Sequence, residues 1–143
     1  MENSEQTFHI LVADDDPDDQ YLIRSAMTQT GQQLEINCVQ DGEQTLHYLQ
    51  RLLELRQPLP HLILLDLNMP MLDGIQTLEK IKANPHLCTI PVVIYTTSAS
   101  VLDIHDAYSA GANAYMTKPL DFSSLNQSIK QLIFYWQETV QHP

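Results

Sequence analysis

Positive charge is scarce in this sequence. Only 7 Lys and Arg stand against 18 Asp and Glu, a formal net charge of −11. Nucleic-acid binding needs a basic footprint to displace counterions from phosphates, so the composition speaks against it. Docking on an anionic membrane is disfavoured for the same reason. No apolar run approaches the ~20 residues of a membrane span. The first residues, MENSEQTFHI, lack the basic start and long apolar stretch of a signal peptide. These absences point to a cytoplasmic protein. Cysteine is also rare: Cys38 and Cys88 are the only two, and neither lies in a CxxC. Two free buried thiols are expected. The six histidines (His9, His47, His61, His86, His105 and His142) form no HxH or HExxH pattern, so they read as structural or surface residues.

What is present suits one domain. A chain of 143 residues that is 43% hydrophobic can bury one real core. Phe8–Ala13 is a short apolar run, read as a buried strand. Asp16-Pro17 then opens a helix, with Asp16 as N-cap, Pro17 at the first helical position, and Leu22, Ile23, Ala26 and Met27 as its apolar face. Leu34–Val39 reads as a strand with Asp41-Gly42 as its turn, and Glu43–Arg56 as a helix. His61–Leu67 and Pro91–Thr97 are further strands, with a helix carrying Ile75, Leu78 and Ile81 between them. Leu102–Ala110 is a shorter helix stopped by Gly111, Ala114–Thr117 a short strand, and Phe122 opens the last helix. Strand and helix alternate five times. Near-continuous apolar strands in that order imply a parallel sheet covered on both faces.

Ligands of such sheets bind beyond the carboxyl ends of the strands. The polar residues that interrupt the pattern fall there: Asp14 and Asp15 after the first strand, Asp66 at the end of the third, Thr96 at the end of the fourth and Lys118 at the end of the fifth. Three adjacent carboxylates are costly unless a cation sits among them. Mg²⁺ suits them, being hard, octahedral and oxygen-seeking. Asp66 can then act as a nucleophile toward a phosphoryl group whose other oxygens meet Thr96 and Lys118. The stretch Asp14–Asp19 holds five aspartates in six positions. Asp14 and Asp15 are read as metal-site carboxylates. Asp16, Asp18 and Asp19 are read as a structural trio that caps the first helix and faces the positive end of its dipole. An EF-hand reading of Asp14, Asp16 and Asp18 fails, because Asp19 stands where Gly is needed and Ser25 where Glu is needed.

These residues resemble a family. The DD pair, DLNMPMLDG, the strand-end Thr and YMTKP, in order and with βα spacing, look like the response-regulator receiver domain of two-component signalling, from Phe8 to about Phe134. The resemblance implies a flavodoxin-like sheet in strand order 2-1-3-4-5. It implies that Asp66 is phosphorylated by a sensor histidine kinase or a histidine phosphotransfer protein. Asp14, Asp15, Asp66 and the Asn68 main-chain carbonyl would hold Mg²⁺, for which Mn²⁺ can substitute. Thr96 and Lys118 would contact the phosphoryl group, and Tyr115, with Thr96, would form the switch. Lys118-Pro119 would be a cis peptide bond that aims the lysine, and Pro70 and Gly74 would shape the loop after Asp66. The extended HYLQRLLELRQPLP segment, DDDPDD and TTS are similar to single-domain regulators of bacterial phytochrome histidine kinases. On this basis residues 1–7 are a leader, 8–136 the receiver and 137–143 a tail, with no output domain.

Two other function classes compete. A haloacid-dehalogenase-like phosphohydrolase also uses a strand-end Asp and Mg²⁺, but it wants an Asp where this chain has Asn68. A phosphorylation-independent interaction module would not need the acidic pair, Asp66 and Lys118. On the last helix, Phe122, Leu125, Ile129, Leu132, Ile133, Trp136 and Val140 share one face at helical spacing. Phe134 and Tyr135 project away from it, which suggests an interface, most simply a symmetric homodimer.

Overall fold

The computed structural model describes residues 7–139. Residues 1–6 of the expected leader and residues 140–143 of the expected tail, Val140 among them, lie outside the described residues. The strands are β1 (Phe8–Ala13), β2 (Leu34–Val39), β3 (Leu62–Leu65), β4 (Val92–Thr96) and β5 (Ala114–Thr117). The helices are α1 (Pro17–Thr28), α2 (Gly42–Glu54), α3 (Gly74–Ala83), α4 (Val101–Ser109) and α5 (Phe122–Phe134), with a π-helical turn over Tyr135–Thr139. The strands are parallel and lie in the order β2-β1-β3-β4-β5, as expected.

Side chains of a strand point alternately to its two faces, and here both faces are dry. Ile10, Val12, Leu62, Leu64, Val93 and Tyr95 meet α1 and α5 through Ile23, Met27, Ile129 and Ile133. Leu11, Ala13, Ile63, Leu65, Val92 and Ile94 meet α2, α3 and α4 through Leu49, Leu78, Ile81 and Ala107. Two-sided burial explains why the central strands read as unbroken apolar runs.

Each helix starts on a capping side chain. Asp16, Asp41, Asp73, Ser100 and Asp121 accept from the backbone N–H of Asp18, Gln44, Gln76, Asp103 and Ser124. Each such cap contributes about 1 kcal/mol. Part of the acidic excess is therefore spent on helix starts.

The structure changes several boundaries. Asp41 caps α2 rather than forming a turn with Gly42, which is the helix's first residue. An added Cβ at Gly42 would overlap the Leu72 carbonyl oxygen and Thr77 Oγ1. Phe122, expected on the buried face of α5, is 50% exposed, because that face begins only at Leu125. Cys38 and Cys88 are free but only half-buried. Among the described residues no peptide bond is cis, so the expected cis Lys118–Pro119 bond is corrected to trans. The Lys118 N–H donates to the Thr96 carbonyl at 2.6 Å, so continued strand pairing aims this residue instead.

At Gly74 an added Cβ would overlap the Asp66 carbonyl oxygen, since the start of α3 packs directly on that backbone. Gly74→Ala should destabilise the protein by about 1–3 kcal/mol, as overpacking does. Urea unfolding followed by circular dichroism should show a lower midpoint at unchanged slope.

Candidate functional site

The carboxyl ends of β1, β3, β4 and β5 form one edge, and the ladder holds the first residue beyond each of three of them. The Asp14 N–H donates to the Val39 carbonyl at 3.1 Å, and the Asp66 N–H to the Ala13 carbonyl at 2.9 Å. Lys118 is tied to Thr96 as described. With their backbones fixed, the side chains converge. Asp14 and Asp66 are buried, Asp15 is exposed, and one carboxylate oxygen from each lies within 4.8 Å of those of the other two. Such a set can hold a divalent cation, which prefers several oxygen ligands and retained water.

Lys118, itself only 4% exposed, spans this cluster. Its Nζ donates to Asp14 Oδ2 at 2.6 Å, to Asp66 Oδ2 at 2.9 Å and to Asp19 Oδ2 at 3.0 Å. The other Asp14 oxygen accepts from the Asp16 N–H at 3.0 Å, and Asp66 Oδ1 from the Asn68 N–H at 3.3 Å. Thr96, at the end of β4 between β3 and β5, is fully buried. Among the described residues its Oγ1 has no hydrogen-bond partner. An unmade bond at a buried hydroxyl is costly, and it marks a donor available to an incoming group. Tyr115 faces the loop after β4, where its hydroxyl donates to the Ser98 carbonyl at 2.9 Å. Ser98 Oγ in turn donates to Asp103 Oδ2 at 2.6 Å.

Burial and the shared lysine together set the protonation behaviour of the pocket. Burial pushes the Asp14 carboxyl above its ordinary range, and the Lys118 hydrogen bond only partly offsets it. Burial also works against the Lys118 ammonium. The hydrogen bonds and charges of Asp14 and Asp66 outweigh that penalty and hold it above the usual lysine value. The charge balance follows from the geometry, since one ammonium is shared by the carboxylates of Asp14, Asp66 and Asp19.

Asp14, Asp15 and Asp66 thus come together, Lys118 bridges Asp14 and Asp66, and Thr96 ends the strand between β3 and β5 at the same edge. Asp19 lies in the first turn of α1, as the dipole reading expects, and the structure adds a second role, since it also accepts from Lys118 Nζ. The N-cap itself is Asp16, which accepts from the Asp18 N–H. The signal was in the pattern: Asp19 precedes Leu22, Ile23 and Ala26 at helical spacing, so it extends the inward stripe of α1 to the strand edge. Gln20 was also missed. Its Nε2 bridges the Asp14 and Val39 carbonyls at 2.6 and 2.8 Å, bracing the β1 end against β2.

The fold and site define a class: a doubly wound α/β domain with a lysine-bridged acidic cation site at its switch edge. The chain belongs to the response-regulator receiver domain family, whose model matches residues 10–130. It is 37% identical over 133 residues to the probable methanogenesis regulatory protein FilR2 of Methanothrix harundinacea, covering 93% of this chain and 86% of that one. It is 36% identical over 135 residues to response regulator Rcp1 of Synechocystis, covering 94% and 92%. The structure superposes on the phosphorylated cyanobacterial phytochrome response regulator RcpA with a TM-score of 0.90 at 35% identity, covering 96% and 99% of the two chains. For Mn²⁺-bound Rcp1 the TM-score is 0.86 at 35% identity, covering 94% and 98%. The acidic pocket fits such a cation here, and nothing in these likenesses favours a phosphohydrolase.

Because its ordinary value is 3.8 and burial raises it, Asp14 binds a proton more readily folded than unfolded. Stability therefore falls as pH rises through the folded value. Asp14→Asn should raise the Tm of metal-free protein at neutral pH, and the gain should fade as pH drops toward 3.8. The same variant should lose the Tm increase that Mg²⁺ gives the parent protein. Thermal melts across pH, with and without Mg²⁺, check both.

Proposed function

We propose that this chain is a phosphoacceptor that takes a phosphoryl group on Asp66 from the phosphohistidine of a sensor histidine kinase or a histidine phosphotransfer protein. The observation that carries the reading is the buried Asp66 carboxylate sharing Lys118 with Asp14 beside Asp15. An Asp66 oxygen forms the new bond to phosphorus. The phosphorus–nitrogen bond breaks, and the imidazole nitrogen leaves with its electron pair. Asp14, Asp15, Asp66 and the Asn68 main-chain carbonyl would hold Mg²⁺ or Mn²⁺, which supplies neutralisation of phosphoryl charge. Lys118 and the free Thr96 hydroxyl stabilise the remaining oxygens. The protein catalyses only its own phosphorylation and dephosphorylation.

Charge added at Asp66 recruits Thr96 and biases Tyr115 between two positions, one of them held by Ser98. The receiver occupies residues 8–136. Likeness to RcpA, a phytochrome response regulator, favours a phytochrome kinase as donor and a place in the cytoplasm beside it. Output runs through protein contacts or onward phosphoryl transfer.

Phe134 and Tyr135 are 64% and 53% exposed next to buried Trp136, which supports reading them as the contact of a symmetric homodimer.

Incubation with a small acyl phosphate and Mg²⁺ should add one phosphoryl group to the intact mass, and Asp66→Asn or a chelator should abolish it. Labelling that survives Asp66→Asn would overturn the site assignment. Separately, Phe134→Ala with Tyr135→Ser should lower the mass seen in sedimentation from dimer to monomer. An unchanged profile would remove the interface.

A further inference from the structure

We propose that Asp19 is a positioning residue, the carboxylate that keeps Lys118 in the pocket when Asp14 and Asp66 are given to a divalent cation. The inference rests on the phosphoacceptor reading above and extends it to a residue outside the acidic triad. An ammonium has three N–H donors, and in Lys118 each has its own carboxylate: Asp14, Asp66 and Asp19. Two of these belong to the set whose oxygens lie within 4.8 Å of one another, while Asp19 does not. A cation would therefore compete with Lys118 for Asp14 and Asp66 and leave Asp19 to it.

The position of Asp19 suits this role. It sits in the first turn of α1 on the stripe that faces the sheet, and its side chain is 30% exposed against 3% for Lys118. It thus approaches the ammonium from the rim, while Asp14 and Asp66 approach from the floor. Neither oxygen serves as a helix cap, because Asp16 accepts from the Asp18 N–H. Asp19 and Lys118 also line one side of a cavity of about 240 Å³ with Thr97 and Pro119. An ammonium tethered at that rim stays beside Asp66, where an oxygen of a new phosphoryl group would meet it. Without Asp19, the metal-bound state would leave Lys118 with no acceptor of its own, and cation entry would have to break its pairing outright.

The test is a double-mutant cycle on Asp19→Asn and Lys118→Met, read by calorimetric titration with Mg²⁺ alone. Asp19→Asn keeps the side chain's shape and removes its charge. It should weaken Mg²⁺ binding by about tenfold in the parent protein but by less than about twofold when Lys118 is already Met, since residues of one network couple. At saturating Mg²⁺ its phosphorylation by an acyl phosphate should slow by a similar factor, again only when Lys118 is present. An equal loss of Mg²⁺ affinity in both backgrounds would mean that Asp19 acts as a distant charge, and would overturn the proposal. So would no loss at all, or a parent protein that binds no Mg²⁺. A second measurement does not need the Met variant. The ¹⁵N resonance of the Lys118 ammonium should exchange slowly in the Mg²⁺-saturated parent and faster in Mg²⁺-saturated Asp19→Asn, and an unchanged exchange rate also overturns the proposal. A parent protein that binds Mg²⁺ but gains no phosphoryl group would sink the phosphoacceptor reading alone, and the titration would still decide the role of Asp19.

Discussion

The rest of the site depends on one ammonium placed among more carboxylates than it can neutralise. Lys118 reaches 104 positions back to Asp14, 99 to Asp19 and 52 to Asp66, and so joins the ends of β1, α1, β3 and β5. Buried ion pairs rarely add much net stability, because desolvation of the charges cancels most of their attraction. The value of this arrangement lies elsewhere. One positive charge holds a pocket together that still lacks positive charge, so a divalent cation entering it is favoured by electrostatics already built in. Burial is what raises the Asp14 carboxyl, while the hydrogen bonds and charges of Asp14 and Asp66 hold the lysine protonated.

The parallel ladder makes this placement possible. Asp14, Asp66 and Lys118 each stand just beyond a strand, with an amide still bonded to the neighbouring strand and a side chain released from the pleat. Their backbones are as fixed as the sheet, so little reorganisation remains when a ligand arrives, which is how preorganised sites lower a barrier. Gly74 adds a constraint from the far side, where α3 packs onto the Asp66 carbonyl with no room for a side chain. Thr96 completes the edge. Its hydroxyl is the buried polar group there that the protein leaves without a partner among the described residues.

Much of this was legible in the residues. Apolar runs with no alternation pointed to a two-sided sheet, and Asp16 ahead of Pro17 marked the start of α1, whereas Asp41 passed for a turn residue. The five site residues stood out because each broke an apolar pattern at a strand end. What escaped was tertiary. The bond from Asp19 to Lys118 joins residues 99 positions apart, and a carboxylate in a first turn has a sufficient local explanation in the helix dipole. Phe122 fits the apolar spacing of α5, yet it stands before the helix reaches the core, a matter of how far the sheet extends. The geometry of the Lys118–Pro119 bond followed from resemblance rather than from any local preference, and the bond is trans.

A signal at Asp66 must leave the pocket through an element that can move cheaply. Among the helices, α4 is held least: Ala107 is its only buried side chain, while Val101, Leu102 and Tyr108 are exposed. Its first turn is tied to the site by polar links rather than by packing, through Tyr115 to Ser98 and Ser98 to Asp103. Such links are directional and individually worth only about 0.5–1.5 kcal/mol. Close-packed apolar contacts around α1, α3 and α5 resist displacement far more strongly, since every buried methylene they would expose costs about 0.8 kcal/mol. New charge beside Thr96 would therefore be relieved along the path of least packing. On the proposed reading, that path runs across the β4–α4 loop to an exposed apolar face, which is the kind of surface a protein partner can read.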